Sequence, residues 1–256
     1  MSPIKPNQLL SRLNEIGASL AQSGHALALI GLGSVGQELA RLDAYSDLDF
    51  FAIVESGHKN KFLDDLAWLN RLCPIAYAFR NTADGYKLLY QDGIFCEFAV
   101  FEEPELRGIP FAAGRIVWKR ADVLEAIAAP ASPVAPYVHS MEWALGEALT
   151  NVYVGLGRYH RGEKLSAMRF IQSYAVDRVL ELSEKLETAT AAPRDVFSPE
   201  RRCEQRHPLL ARELANFAQG YDRSIESARA ILAYLDHHFE INPAIKQAIV
   251  ELCASA

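Results

Sequence analysis

The spacing of apolar residues in the first half of the chain follows two different periods. Over residues 7–22 they recur at helical spacing, and Gly24 follows, which predicts an amphipathic helix. Short apolar runs bounded by turn residues then predict strands over residues 26–30, 48–54, 75–80, 86–91, 94–101 and 114–119. A helix is expected over residues 61–72. Residues 31–34 are expected to form a turn that leads into a helix of about two turns, ending near Leu42.

The second half of the chain has no strand pattern. Apolar residues at helical spacing predict helices over residues 137–160, 163–188, 209–219, 224–239 and 244–253. Between the two halves, the sequence AAPASPVAP at residues 128–136 is rich in proline and small residues, as linkers are. We therefore expect an N-terminal domain of strands and helices over residues 1–128 and a C-terminal helical domain over residues 129–256. An exposed loop is expected over residues 189–202.

Composition and charge narrow the class of protein. The 256 residues are 50% apolar and 23% charged, with 15 Gly and 12 Pro, which is typical of a folded globular protein. A net charge of -6 argues against avid binding to a nucleic-acid backbone, because that requires a clustered positive surface. The four cysteines are far apart, and no apolar run reaches the roughly 18 residues of a membrane span. We expect a soluble, cytoplasmic protein that does not enter a membrane.

The glycines after the first predicted strand have two interpretations. Gly31, Gly33 and Gly36 form G-x-G-x-x-G, and Glu55 follows at the end of the next strand. This spacing matches a dinucleotide-binding fingerprint with Glu55 at the ribose, which makes an NAD(P)-binding oxidoreductase of the Rossmann type one hypothesis. The hairpin signal Asp92-Gly93, read as a two-residue turn, counts against it because a Rossmann fold continues with βαβ units.

Acidic side chains interrupt two of the predicted strands. Asp47 and Asp49 are two residues apart and so share a face, where two carboxylates repel each other unless a cation or strong donors neutralise them. Mg²⁺ prefers oxygen ligands, and Glu97, inside the apolar run 94–100, is a third candidate ligand or the base. Two alternatives stay open: a solvated acidic pair at an exposed strand entry, and an ion pair of Glu97 with Arg80 or Arg115.

These residues carry a resemblance to a known family. Gly33-Ser34, twelve intervening residues, Asp47-Leu48-Asp49-Phe50 and a later Glu97 are similar to the motif of the DNA polymerase β-like nucleotidyltransferase superfamily. With its helical second half, the chain most resembles the small bacterial nucleotidyltransferases that inactivate lincosamide and aminoglycoside antibiotics. The motif region covers roughly residues 26–101. The resemblance implies an α+β fold, with a nucleotidyltransferase-like mixed sheet and flanking helices followed by a C-terminal all-helical bundle.

The resemblance also implies an activity: Mg²⁺-dependent transfer of a nucleoside monophosphate from a nucleoside triphosphate, such as ATP, to a hydroxyl of a small-molecule acceptor, with release of pyrophosphate. It assigns Asp47, Asp49 and Glu97 to catalysis and to two Mg²⁺ ions. A Gly-Ser turn at a helix N-terminus offers backbone N–H groups and the helix dipole to phosphates. The nucleotide-binding residues would then be Gly33, Ser34, Ser46 and, in the basic cluster 158–164, Lys164.

Other properties stay open at the level of sequence. An antibiotic is one acceptor that the family offers, and a metabolite or a protein side chain are others. Neither the preferred triphosphate nor the oligomeric state follows from the residues, although several small enzymes of this resemblance form homodimers. A third hypothesis is a catalytically silent nucleotide-binding module that has kept the fold.

Overall fold

The computed structural model describes residues 4–132, 139–190, 192 and 194–255. It divides the chain into two compact units, Met1–Val134 and Ala135–Ala256. Residues 133–136 of the proline-rich stretch, residues 137–138 at the expected start of a helix, and residues 191 and 193 of the expected loop lie outside the described residues. Within the described ranges, no helix is both long enough and apolar enough to cross a membrane.

A six-stranded mixed sheet forms the centre of the first unit. Its strands are β1 (Ala26–Gly31), β2 (Leu48–Val54), β3 (Ile75–Arg80), β4 (Gly85–Tyr90), β5 (Phe95–Glu102) and β6 (Arg115–Lys119). Their order is β3-β4-β5-β2-β1-β6. β2 and β5 are parallel, and every other neighbouring pair is antiparallel. The α+β class and the mixed sheet expected from the sequence are confirmed.

The two faces of the sheet are buried in two separate cores. The helices α1 (Pro6–Ala21), α2 (Lys59–Asp64) and α3 (Ala67–Asn70) pack on one face, against residues that include Leu48, Phe50 and Ala52 of β2. Phe51 and Ile53 belong to the core on the opposite face. Because side chains alternate along a strand, Asp49 shares this second face, away from α1. The sequence pattern of β2 therefore decides which face carries the acidic residues.

The helix expected over residues 61–72 is interrupted. Asp65 is extended, with φ −132° and ψ 111°, and its carboxylate accepts a hydrogen bond of 2.8 Å from the N–H of Ala67. An Asp side chain that bonds the backbone two residues on competes with helical hydrogen bonding. The segment thus forms the two short helices α2 and α3.

The turn after β1 is also different from the expectation. No α-helix follows it; the chain forms two three-residue 3₁₀ turns, Gly33–Val35 and Leu39–Arg41. Gly33 has φ +50°, and a Cβ on Gly36 would lie 2.7 Å from the carbonyl oxygen of Gly31. The glycines therefore let the chain fold back closely on the end of β1, and the expected helix dipole at the turn is absent.

The sheet order excludes a Rossmann unit at the glycine turn. In that unit the first two strands are parallel and a helix crosses between them. Here β1 and β2 are antiparallel neighbours, with Leu29 opposite Ala52. The G-x-G-x-x-G spacing therefore has a structural origin in the tight turn.

The hairpin between β4 and β5 is confirmed, but its loop has three residues. Tyr90 donates its N–H to the carbonyl of Ile94 at 2.9 Å, which leaves residues 91–93 in the loop. Gly93 has φ +92°, and a glycine at positive φ commonly ends a three-residue loop. The expected two-residue turn was wrong by one residue, which shifts the pairing of β4 and β5 by one position.

The second unit contains helices and no strand among its described residues. Its helices are α4 (Met141–His160), α5 (Lys164–Arg169), α6 (Val176–Leu186), α7 (Cys203–Arg206), α8 (Pro208–Phe217), α9 (Ser224–His238) and α10 (Pro243–Ala254). A π-helical segment, Phe170–Ala175, joins α5 to α6. One apolar core lies among these helices. Its fully buried residues include Val152 of α4, Ile171 of the π-helical segment and Ile231 of α9. The expected helical bundle is confirmed.

Candidate active site

Asp49 and Glu97 lie directly opposite each other on the two parallel strands. The register pairs Leu48 with Cys96, Asp49 with Glu97 and Phe50 with Phe98. In a parallel pair, opposed residues project from the same face, so the two side chains are neighbours on the sheet surface. The third acid expected from the sequence is therefore beside the acidic pair, although 48 positions separate it from Asp49 in the chain.

Asp47 completes the acidic group at the start of β2. It immediately precedes the strand and, like Asp49 and Glu97, is half-buried. Three carboxylates at one strand end provide only oxygen ligands, which suit a hard cation such as Mg²⁺. The donor set thus fits the metal that the sequence predicts.

The glycine turn lies next to this acidic group. The N–H of Leu32 donates to the carbonyl oxygen of Asp49 at 2.8 Å, which fixes the turn to β2. A Cβ on Gly33 would lie 3.5 Å from Oδ2 of Asp49, and the neighbouring Ser34 is buried. This geometry is consistent with the prediction from the sequence that Gly33 and the acidic pair belong to the same site. Without a side chain at Gly33, the backbone of the turn lies close to the Asp49 carboxylate, and Nη2 of Arg41 lies 4.0 Å from the position of that Cβ.

Glu97 already has two partners, and neither was expected. Nζ of Lys87 lies 3.1 Å from Oε2 of Glu97, and the amide nitrogen of Asn81 donates to Oε1 at 3.3 Å. The alternative partners considered from the sequence are engaged elsewhere: Arg80 pairs with Asp64, and Arg115 donates to the carbonyl of Val35. A metal at Glu97 must therefore compete with Lys87.

Lys87 could have been found from the sequence only with the correct loop length. A two-residue turn at residues 92–93 would place Leu88 opposite Glu97, whereas the observed three-residue loop places Lys87 there. The signal is a lysine inside the strand GYKLLY, whose charge needs a partner. Asn81, in the segment between β3 and β4, had no comparable signal.

Cys96 lies next to the acidic group but on the other face of the sheet. It is fully buried and belongs to the core beneath α1. Burial raises the pKa of the Cys96 thiol, so it stays protonated near neutral pH. Its role is that of an apolar core side chain, and the chemistry of the site belongs to the carboxylates.

Ser46 is engaged in a local turn. Its hydroxyl donates to Oδ1 of Asp43 at 3.1 Å and accepts from the N–H of Asp43 at 3.0 Å. The turn holds the chain that enters the acidic pair. A phosphate contact from Ser46 stays a prediction.

Lys164 and the basic cluster belong to the second unit. Lys164 is the first residue of α5 and lies on a cavity of about 480 Å³ whose lining combines cationic and aromatic side chains with the carboxylate of Glu163. The lining includes Arg158, Lys164, Arg169, Phe170, Tyr174 and Tyr221. The guanidinium of Arg158 lies 4.0 Å from the ring centroid of Phe170. Cations suit phosphates and aromatic rings suit bases, so the cavity has the chemistry of a nucleotide site.

The π-helical segment shapes this cavity. It provides Phe170 and Tyr174, two of the aromatic side chains of the lining. Isolated π-helical turns occur frequently at functional sites. Gly155 of α4 allows the close approach of this segment, because a Cβ there would lie 2.6 Å from Ile171.

Comparison with known proteins gives similarity to solved structures only. No family model and no curated protein matches the sequence. An aminoglycoside 6-adenyltransferase from Bacillus subtilis is 12% identical, with 94% of this chain and 89% of that chain covered and a TM-score of 0.33. A CCA-adding enzyme from Thermotoga maritima, complexed with tRNA, is 11% identical, with 100% and 72% covered and a TM-score of 0.37.

A third similar structure is a STING-associated c-di-GMP synthase from Capnocytophaga granulosa, 11% identical, with 97% and 79% covered and a TM-score of 0.30. These similar proteins are nucleotidyltransferases of the polymerase β-like superfamily, whose motif the sequence resembles.

Proposed function

We propose that the chain is a Mg²⁺-dependent nucleotidyltransferase that moves a nucleoside monophosphate from a nucleoside triphosphate to a hydroxyl of a small-molecule acceptor. One observation carries the proposal: Asp49 and Glu97 are opposed on parallel strands, with Asp47 two residues before Asp49 and the backbone of Gly33 beside the Asp49 carboxylate. Carboxylates crowd together in this way where a cation neutralises them.

Each residue of the group has a role in the proposed reaction. Asp47 and Asp49 would hold Mg²⁺, as two ions by the resemblance, and Glu97 would be a further ligand or the base; bound Mg²⁺ would supply positive charge that offsets the phosphates. The backbone N–H groups of Gly33 and Ser34 bind the β- and γ-phosphates. The triphosphate is thereby held with its α-phosphorus facing the acceptor, and positioning and electrostatics supply most of the catalysis.

The bond changes balance without an additional reactant. The acceptor oxygen forms a bond to the α-phosphorus, while the bond from that phosphorus to the oxygen bridging to the β-phosphate breaks. Pyrophosphate leaves with the electron pair. The proton of the acceptor hydroxyl goes to the carboxylate of Glu97 and then to solvent, once Lys87 has moved away from Oε2.

The nucleotide contacts of the second unit are part of the same proposal. Lys164 is proposed as a nucleotide-binding residue from the lining of its own cavity, where cations suit phosphates and aromatic side chains suit a base. ATP is the triphosphate to test first, and Ser46 adds a phosphate contact when its turn opens. The acceptor is a small molecule with a free hydroxyl, an antibiotic being one class to screen.

The compartment, the partners and the oligomeric state are proposed together with the activity. All four cysteines are free thiols, as they are in proteins of reducing compartments, which favours the cytoplasm. The partners are the triphosphate and the acceptor, with no membrane and no nucleic acid, and the chain is proposed to work as a homodimer.

Ligand-dependent thermal unfolding tests the proposal directly. The purified protein is melted with ATP, GTP, CTP, UTP, NAD or NADP, each with and without Mg²⁺. A hundredfold excess of ligand over its Kd stabilises the native state by about 2.7 kcal/mol, which moves the midpoint by a few degrees. We expect a shift with a triphosphate that needs Mg²⁺ and is lost in Asp47→Asn. A panel of hydroxyl acceptors with labelled nucleotide then separates an enzyme from a silent binding module.

Two other outcomes of this experiment would contradict the proposal. A shift with NAD or NADP that does not depend on metal would remove the transferase in favour of a dinucleotide-binding protein. A Mg²⁺-dependent shift without transfer to any acceptor would favour the silent module.

A further inference from the structure

Two histidines and a glutamate meet at the other end of β2 from the acidic group. His25 immediately precedes β1, Glu55 immediately follows β2, and His58 immediately precedes α2. One ligand atom from each of the three lies within 4.8 Å of the others. Glu55 lies six positions after Asp49, roughly 20 Å at about 3.3 Å per residue, so this cluster is separate from the proposed active site.

Backbone hydrogen bonds hold the three residues together. The N–H of Glu55 donates to the carbonyl of His25 at 2.9 Å, and the N–H of His58 donates to the carbonyl of Glu55 at 3.1 Å. The second bond closes a tight turn in which Gly57 has φ +82°, a conformation that favours glycine. The N–H of Gly57 is fixed in turn by Oε1 of Glu102 at 2.7 Å. The cluster therefore follows from the fold and not from a chance approach of long side chains.

The side chains are arranged as metal ligands often are, with a neighbouring residue that hydrogen-bonds the ligating carboxylate. The rings of His25 and His58 are stacked, with centroids 3.7 Å apart, and Nδ1 of His25 lies 3.2 Å from Oε2 of Glu55. The other carboxylate oxygen of Glu55 accepts a hydrogen bond of 2.5 Å from Arg120. A partner that binds the second oxygen of a ligating carboxylate orients the first oxygen.

The charges around Glu55 offset each other in part, because the guanidinium of Arg120 binds its carboxylate. Asp122 is ion-paired with the same guanidinium, at 2.7 Å from its Nε, and offsets its positive charge. The side chains of His25 and Glu55 are about one-third exposed, so an ion can reach them from solvent.

We propose that His25, Glu55 and His58 form a binding site for a divalent transition-metal ion of the Zn²⁺ class, with water in the fourth position. Imidazole nitrogens favour Zn²⁺, Co²⁺, Ni²⁺ and Cu²⁺, whereas Mg²⁺ prefers the all-oxygen set of the acidic group. Ligand atoms around one tetrahedral Zn²⁺ lie roughly 3.4 Å apart, given bonds of about 2.1 Å. Nδ1 of His25 and Oε2 of Glu55, 3.2 Å apart, are already near this separation, and one ring nitrogen of His58 lies within 4.8 Å of a ligand atom of each of the other two.

The ion would connect three elements that the backbone already brings together: the start of β1, the end of β2 and the turn into α2. Because a ligand that binds only the folded chain stabilises it, Zn²⁺ would raise the unfolding midpoint of the protein. The site does not depend on the proposed transferase activity. The two are tested by different ions and different variants.

The experiment is metal binding to the full chain, without an affinity tag and after removal of bound metal. Calorimetric titration with ZnCl₂ is expected to show one ion per chain, and Co²⁺ is expected to give the visible bands of a four-coordinate site. His25→Asn and His58→Asn should each weaken Zn²⁺ binding at least about tenfold, since each removes one of three ligands. Far-UV circular dichroism confirms that the variants are folded.

His237→Ala/His238→Ala is the matched control, because these histidines are adjacent and exposed in the second unit. It should bind Zn²⁺ as the unaltered protein does. The proposal is wrong if the unaltered protein binds no stoichiometric Zn²⁺, if both Asn variants bind it equally well, or if binding is lost in the control. Should either Asn variant fail to fold, Glu55→Gln and the Co²⁺ spectrum of the unaltered protein give the same decision.

Discussion

Asp49 and Glu97 face each other across β2 and β5, the parallel pair in a sheet whose other pairs are antiparallel. Like charges at directly opposed positions destabilise a sheet. Lys87, on the next strand, offsets part of this repulsion through its ion pair with Glu97. The first unit therefore holds a concentration of negative charge that a metal ion would relieve, and this gives the acidic group its proposed function.

Removal of one carboxylate from this group separates catalysis from stability. We expect Asp49→Asn, and equally Glu97→Gln, to lower kcat/KM for nucleotide transfer at least about a hundredfold, because each removes a proposed metal ligand worth several kcal/mol in the transition state. The unfolding midpoint without Mg²⁺ should stay the same or rise, because the like-charge repulsion is reduced. Steady-state kinetics and thermal unfolding measure the two effects.

Asp236→Asn is the matched control for that experiment. Asp236 is a half-exposed carboxylate paired with Lys246 at 2.7 Å in the second unit. Its substitution should leave the rate within about twofold, as an exposed ion pair contributes little. Full activity in Asp49→Asn would remove this residue from the proposed mechanism.

Alanine substitutions at Gly33 and Gly24 separate two effects: the strain of a side chain at positive φ, and the contact of the turn after β1 with Asp49. Both have positive φ, +50° and +76°, so alanine at either position should lower the free energy of unfolding by about 1–2 kcal/mol. A Cβ at Gly33 would lie 3.5 Å from Asp49 Oδ2, whereas one at Gly24 would meet nothing within 4 Å. We expect only Gly33→Ala to weaken Mg²⁺–triphosphate binding, about tenfold or more, in a calorimetric titration. Equal binding by both variants would contradict a phosphate contact at the turn.

The candidate site was predictable where its signal is local in the sequence. Asp47, Asp49 and Glu97 stand out because each places a charge in or beside an apolar strand, and β2 itself was predicted with its observed bounds. What depends on pairing was not predictable. Lys87 meets Glu97 only because the loop after β4 has three residues, and a shift of one residue changes every cross-strand partner.

The turn after β1 shows a second limit of local patterns. A helix ending near Leu42 was expected from the sequence. The backbone of Gly36 packs so closely against Gly31 and Leu32 that the chain does not form this helix. That contact is tertiary and leaves no periodic signal. In the second unit, periodicity predicted the longer helices but not the four-residue α7. It also missed the π-helical segment before Val176, which packs closely against Gly155 of α4.

Lys87 competes with a metal ion for Glu97, which gives a prediction with a definite sign. Loss of the ammonium in Lys87→Met frees Oε2 of Glu97 and removes a positive charge near the proposed Mg²⁺. A half-exposed ion pair is worth about 0.2–1 kcal/mol, so the Mg²⁺ concentration for half-maximal triphosphate binding should fall by a factor of about 1.4 to 5. A titration of Mg²⁺ at fixed ATP, followed by thermal unfolding, measures it.

Lys246→Met is the control, because the Lys246 side chain has the same 43% exposure as that of Lys87 and also pairs with a carboxylate. It should leave the Mg²⁺ dependence unchanged. A higher Mg²⁺ requirement in Lys87→Met would mean that Lys87 supports the bound nucleotide and does not compete with the metal.

His207 makes the stability of the second unit sensitive to pH. Its side chain is buried, and among the described residues neither ring nitrogen has a hydrogen-bond partner. Burial, followed by the charge of Arg206, lowers the pKa of His207 below the 6.5 of an ordinary histidine. The unfolded chain therefore takes up a proton at a higher pH than the folded chain. The free energy of unfolding consequently falls as pH drops below about 6.5, by at most about 1.4 kcal/mol per pH unit for this one group.

Urea unfolding at pH 7.5 and 5.5 measures this effect. His207→Leu should lose less stability on acidification than the unaltered protein, while the exposed-site control His237→Leu should lose as much as the unaltered protein. An equal loss in all three proteins would show that His207 is already protonated in the folded state or that other groups dominate.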